Sequence, residues 1–334
     1  MTLSIILFGL VALTLWFKYS GPRLDARAPE SEVPTELTLD ALPSWLHDSE
    51  SKQAVIEDAD ARIVFAQAEA PVRTPLSILH IHGFSACRRE TAPIAEHLAH
   101  RLQANLVEVR LAGHGLKTDV MQASAEDWLQ SVTNGADIAH RLGHQTIILG
   151  TSTGAPLGCW AAKALNKQFG RPMAMVYMAP NFGIRQSYAW LLTLPGSEWF
   201  LPLLLGRTRS WTPESEAVAK YWSTSYPLQA VIEMQKVVRW FTRQSPRSWT
   251  TPMAIMLGDL DPTISAKKAL ATLAHWPHPA SCRLPLPDET TLAEHVFAGE
   301  ICGPDRTQHC VNSFEQFIRD VMVSDRNETH PGHS

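Results

Sequence analysis

The chain has 334 residues, with 29 lysines and arginines against 33 acidic residues and a formal net charge of −4. Apolar residues make up 45% and charged residues 19%, which excludes bulk disorder and permits one large or two small domains with a substantial core. The slight acidic excess speaks against a nucleic-acid binder, and five cysteines are too few for a disulfide scaffold.

Thr2 to Phe17 reads TLSIILFGLVALTLWF without a charge, and Lys18, Arg23 and Arg27 follow it. Such a run lies near the lower limit of about 17 residues for crossing a bilayer, with Trp16 and Tyr19 suited to the interface. No basic residue precedes it and no clear small-residue cleavage site follows, so residues 1–20 are expected to form an uncleaved membrane anchor rather than a removed signal. The basic flank behind the run would keep the domain in the cytoplasm. A bridge between Cys302 and Cys310, in the loop-like CGPDRTQHC segment, would instead require an oxidising compartment. These signals oppose each other and leave the side of the membrane open.

Residues 21–60 begin rich in Pro, Glu and Thr without periodicity and read as a linker and lead-in. From residue 61 to 334, short apolar runs alternate with helical patterns. Leu76–Ile81, Asn105–Arg110, Gln145–Gly150, Met173–Met178 and Met253–Gly258 read as strands buried on both faces. Ile94, Leu98 and Leu102 form one helical stripe, and Val311, Phe314, Ile318 and Val321 another. This alternation predicts an α/β fold with a mostly parallel sheet covered on both faces. Residues 183–250 break the pattern and are too long for an ordinary connection. They hold six of the 11 tryptophans and are expected to be a helical cap over the carboxyl ends of the strands. Most of these rings should pack the cap onto the sheet, and some could line an apolar pocket.

The chemistry centres on Gly150-Thr151-Ser152-Thr153-Gly154, between the strand QTIIL and the helical pattern APLGCWAAKAL. A nucleophile elbow needs small residues around the serine because the turn is tight and the hydroxyl must project above the sheet. The helix N-terminus behind it favours developing negative charge. An acyl-transfer serine also needs a base, an orienting acid and an oxyanion hole. His82-Gly83-Phe84 follows one strand and offers the Phe84 amide, with the Thr153 amide as a second donor. Asp259 and Asp261 follow the strand MAIML, and His295 precedes the last helical pattern. His80 and His82 share one strand face, but Gly-Phe-Ser follows where a metal hydrolase of the His-x-His type needs Asp-His. No metal or cofactor is expected.

HGFSA (82–86), RLAGHG (110–115), the GTSTG elbow, GDLDPTI (258–264) and EHVF (294–297) resemble the α/β-hydrolase superfamily, in particular its capped carboxylesterases and monoacylglycerol-lipase-like members. The resemblance covers about residues 75–322 and implies the α/β-hydrolase fold with a helical cap. It further implies Ser152 as nucleophile, Asp261 as triad acid in preference to Asp259, His295 as base, and Phe84 and Thr153 as oxyanion donors. Thr153 departs from the Met, Gln or Leu that related esterases often carry there. The implied activity is hydrolysis of small carboxylic esters with apolar or lipid-derived acyl groups. The same machinery would serve a thioesterase, an amidase or peptidase, or an acyltransferase, and a membrane-anchored binding protein without turnover is the alternative outside catalysis.

Overall fold

A computed structural model describes residues 20–329, Glu289 excepted. In chain order the strands are β1 (Arg62–Val64), β2 (Thr74–Ile81), β3 (Asn105–Val109), β4 (Gly143–Thr151), β5 (Ala174–Met178), β6 (Thr208–Ser210), β7 (Ser225–Pro227), β8 (Met253–Met256) and β9 (Cys282–Arg283). Among the described residues, seven of them form one sheet in the order β1-β3-β2-β4-β5-β8-β9. β1 pairs antiparallel with β3, and every other pair in the sheet is parallel. The inner strands β3, β5 and β8 are buried at every residue. Their sequences are therefore apolar runs rather than alternating ones.

The helices are α1 (Leu42–Glu50), α2 (Ile94–Leu102), α3 (Ala125–Leu142), α4 (Gly154–Ala164), α5 (Asn166–Phe169), α6 (Ser197–Leu205), α7 (Glu216–Tyr221), α8 (Leu228–Thr242), α9 (Ala266–Ala274) and α10 (Pro304–Thr329). On one sheet face Trp128 and Val132 of α3 and Leu157 and Trp160 of α4 pack against Leu79, Ile148 and Tyr177. On the other, Ile94 and Leu98 of α2 and Phe314 and Ile318 of α10 cover Ile78, Leu106 and Val176. Both stripes read from the sequence, at 94/98/102 and 311/314/318/321, thus point at the sheet.

Between β5 and β8 the chain leaves the sheet for α6, α7, α8 and the β6-β7 hairpin. α8 buries Val237 and Phe241 in the main core, while Leu228 and Ile232 form a small separate cluster with Leu201 of α6. Trp249 stacks on Trp276 at 5.1 Å and packs into the core. Trp190, Trp199 and Leu203 do the opposite, at 59%, 80% and 80% exposed.

Residues 21–60 differ from a linker. The Trp160 indole donates to the Ala26 carbonyl at 3.0 Å, and Arg141 to the Pro34 carbonyl at 2.7 Å. The Glu32 N–H donates to Asn134 at 2.9 Å, and Val33 and Leu42 are buried. Hydrogen bonds between its backbone and side chains of the body, rather than an apolar period, hold this strap, which is why its composition reads as unstructured. The run at 2–17, expected to be an anchor, lies outside the described residues. Among those described, no helix is long and apolar enough to cross a membrane. Cys302 and Cys310 are free thiols, and Cys310 is buried with its Sγ 3.7 Å from Met256 Sδ.

Candidate active site

β4 runs directly into Gly150-Thr151-Ser152-Thr153-Gly154. Ser152 has φ of +51°, a left-handed conformation that stores about 1–3 kcal/mol in a residue bearing a Cβ. The turn is held from both sides: Ser152 N–H donates to the Met178 carbonyl at 3.0 Å, and the Ser152 carbonyl accepts from Asn181 N–H at 2.9 Å. A Cβ on Gly154 would run into the carbonyl oxygens of Ile81 and His82. Glycine there lets the start of α4 abut the end of β2, and Thr153 is the residue that opens this helix.

Asp261 follows β8 and is buried. Its Oδ1 accepts from the N–H groups of Thr263 at 2.7 Å and Ile264 at 3.0 Å. Its Oδ2 lies 2.7 Å from His295 Nδ1, and His295 Nε2 lies 3.0 Å from Ser152 Oγ. A carboxylate can only accept, so Nδ1 carries the proton and Nε2 is left to accept from the serine hydroxyl. Asp259 is not part of this chain of contacts; it pairs with Arg283 at 2.9 Å, with half of its side chain exposed. Arg185, on the cap side, donates to the carbonyls of Leu260 and Asp261 at 2.6 Å each and braces the loop after β8.

The loop after β2 is built by its own side chains. Leu111 N–H donates to His82 Nε2 at 3.1 Å, so Nδ1 bears the proton and donates to the Gly83 carbonyl at 2.8 Å. Burial pushes the His82 imidazole well below its ordinary pKa, with His114 nearby adding to the effect; a neutral ring suits both hydrogen bonds. Holding the Gly83 carbonyl also sets the Phe84 N–H, because the two are antiparallel across a trans peptide. The Phe84 ring meets Tyr226 of the cap edge-on at 5.2 Å. His80 pairs with buried Glu108 at 3.0 Å. Among the described residues there is no cluster of three or more His, Cys, Asp or Glu side chains that could hold a metal ion.

Ser152, His295 and Phe84 border a cavity of about 830 Å³ whose cap-side wall includes Leu191, Leu201, Leu228 and Val231. Trp211 and Trp222 are the cap tryptophans at its edge. Two buried polar residues at this cavity were not singled out from the sequence. Glu90 is buried and accepts from Gly83 N–H at 2.7 Å. Asn181 is buried beside Thr153, with its Oδ1 unpaired. Only their distance from the motifs, seven residues past Gly83 and three past the fifth strand, could have drawn attention to them.

This sheet, elbow and site order define an α/β-hydrolase. The family model described as "Alpha/beta hydrolase family" matches residues 78–299, and the chain belongs to that family. No curated protein matches the chain in sequence. Among solved structures, it resembles a metagenome-derived lipolytic enzyme from the pair LipS and LipT, with a TM-score of 0.63 at 16% identity, covering 80% of this chain and 99% of that one. The monoacylglycerol lipase of Paleococcus ferrophilus gives 0.56 at 11%, covering 78% and 98%. A soluble variant of the Saccharomyces cerevisiae monoglyceride lipase, solved with a substrate analog, gives 0.56 at 13%, covering 88% and 99%. At these identities the likeness is one of fold.

Proposed function

We propose that the chain is a serine hydrolase that cleaves carboxylic esters of apolar acyl groups through an acyl-enzyme. The observation that carries this reading is the unbroken line from Asp261 Oδ2 through His295 to Ser152 Oγ, at 2.7 Å and 3.0 Å. His295 Nε2 takes the hydroxyl proton as Ser152 Oγ attacks the ester carbonyl carbon. The Phe84 and Thr153 amides hold the oxyanion, each donor worth about 3–4 kcal/mol in the transition state. His295 then protonates the departing alcohol, and a water activated by the same imidazole releases the acid.

The apolar preference is supported by the leucine and valine wall of the cavity. Attachment to a membrane through residues 1–20 belongs to the same reading. Its support is the uncharged run at 2–17 and the point where the strap begins. Arg239 donates to the Pro22 carbonyl at 3.1 Å and to the Thr193 carbonyl of the cap at 2.9 Å. The chain therefore enters the body beside the segment that exposes Trp190 and Trp199, side chains suited to an apolar surface.

The test is turnover of p-nitrophenyl esters from two to sixteen carbons by the full chain and its Ser152→Ala variant, with vesicle flotation of the full chain beside it. Turnover that rises with chain length and vanishes in the variant is expected, along with co-flotation. Absence of both turnover and fluorophosphonate labelling of Ser152 would refute the hydrolase, and failure to float would refute the attachment alone.

A further inference from the structure

The triad leaves one buried carboxyl at the cavity without a role. The segment from Gly83 to Glu90 closes on itself: Glu90 N–H donates to the Cys87 carbonyl at 2.9 Å, and the Glu90 side chain reaches back to Gly83 N–H at 2.7 Å. Gly83 thus has its N–H fixed by Glu90 and its carbonyl fixed by His82. The fit admits nothing more, since a Cβ on Gly83 would lie 2.7 Å from Glu90 Oε1 and 3.1 Å from Ser152 Cβ. Glu90 also borders the cavity together with Ser152 and His295.

We propose that Glu90 is a positioning residue for the reaction, clamping Gly83 so that the Phe84 amide is aimed at the oxyanion while its charge acts on His295 across the cavity. The inference rests on the serine-hydrolase reading above. A carboxyl group buried to this degree costs several kcal/mol to keep charged unless it is hydrogen-bonded and faced by positive charge. A glutamine would supply the same hydrogen bond to Gly83 without that penalty, so a purely architectural role would not need the acid.

Burial pushes the Glu90 carboxyl up to about 7, opposed by the Gly83 hydrogen bond and by the charges of His295 and His80. The remaining titratable neighbours are Cys302 and Cys87, whose thiols burial holds up at about 12. The adjacent Arg88 and Arg89 side chains turn away to Asp58. Glu90 therefore changes charge within the pH range in which a histidine base works.

Three variants separate the two contributions, with kcat and KM measured from pH 5 to 9 on a short ester and thermal unfolding recorded alongside. Glu90→Ala frees Gly83 and is expected to lower kcat about 30-fold with KM changed less than about 3-fold, the pattern of an interaction made in the transition state. Glu90→Gln keeps the hydrogen bond and is expected to recover most of kcat at the optimum. Its acid limb of kcat/KM is expected to move to lower pH, because the neutral amide removes a negative charge facing the site. Glu90→Asp is too short to reach Gly83 and should behave like Glu90→Ala in kcat. A Glu90→Gln profile superimposable on the wild type, or a Glu90→Ala loss matched only by a fall in melting temperature, overturns the inference while leaving the hydrolase intact. No turnover and no fluorophosphonate labelling of the unmodified protein would sink the hydrolase reading and this inference with it.

Discussion

Asparagine at position 261 tests the proposed mechanism at its least replaceable contact. Oδ1 of Asp261 receives two backbone N–H groups, from Thr263 and Ile264, and an amide nitrogen cannot accept either. Asp261→Asn must therefore keep its oxygen there and turn its NH2 toward His295 Nδ1. The imidazole then has to accept at Nδ1 and carry its proton on Nε2, which would face Ser152 Oγ at 3.0 Å with nothing left to take up the hydroxyl proton. Reversing the amide would leave both donors unpaired, the buried Ile264 N–H alone costing about 1–3 kcal/mol. Loss of the carboxylate also removes the charge that stabilises the imidazolium. Together these predict a fall in kcat of about 10⁴, or about 5 kcal/mol in the transition state. The fold should persist, since the variant retains both backbone hydrogen bonds. Asp259→Asn is the matched control: its partner Arg283 is partly exposed, such pairs contribute about 0–1 kcal/mol, and kcat should change less than about 2-fold. Steady-state rates on a soluble ester, with circular dichroism on each variant, decide the matter. An Asp261→Asn enzyme within 10-fold of wild type, or an Asp259→Asn enzyme as impaired, would refute the assignment.

Gly154→Ala drives a methyl into the Ile81 and His82 carbonyls, both backbone and unable to move freely; destabilisation of about 2–4 kcal/mol is expected in urea unfolding, and an unchanged midpoint would mean that α4 can pull back from β2. Glu108 contributes stability with a defined pH dependence. Burial alone would raise its pKa, but the hydrogen bond and charge of His80, with Arg62 and Arg88, hold it below the ordinary value. Because the folded value is the lower one, that stability is present above the unfolded carboxylate pKa and fades as pH falls through the folded value. Glu108→Gln should therefore lose about 3–5 kcal/mol at pH 7, and the gap to wild type should narrow below pH 4; a gap independent of pH would show that the pair is not ionised.

The sheet was legible because strands buried on both faces leave apolar runs that polar helix faces cannot imitate. The elbow was legible because its geometry permits only small residues at Gly150 and Gly154. Asp261 and His295 were less legible: each follows an apolar run, but so does Asp259, and the preference for Asp261 rests on the family resemblance. The strap at 21–36 left no such trace, since its anchoring partners are the Trp160 indole, Arg141 and Asn134, more than a hundred residues away. β1, β6 and β7, with three residues each, are too short for a period to register. Glu90 was hidden in the charged stretch Arg88-Arg89-Glu90, where nothing local separates a solvated carboxylate from one turned inward. Its burial follows from the closure of the 83–90 loop, a tertiary event.

That closure also joins the cap to the chemistry. Ser223 N–H of the cap donates to the Ser85 carbonyl at 2.6 Å, inside the loop that Glu90 closes. Tyr226, three residues on, packs edge-on against Phe84. On the opposite side of the elbow, Asn181 starts the excursion into the cap with its N–H on the Ser152 carbonyl, and Arg185 grips the loop after β8 through the Leu260 and Asp261 carbonyls. The cap is thus fastened to the loop after β2, the turn at Ser152 and the loop after β8. A displacement of the cap by even one ångström would be felt at all three, and misplacement on that scale can reduce a rate about 100-fold. If the proposed mechanism holds, substrate contacts along the leucine wall should influence kcat as well as KM, because the same segment that lines the cavity also supports the turn bearing Ser152.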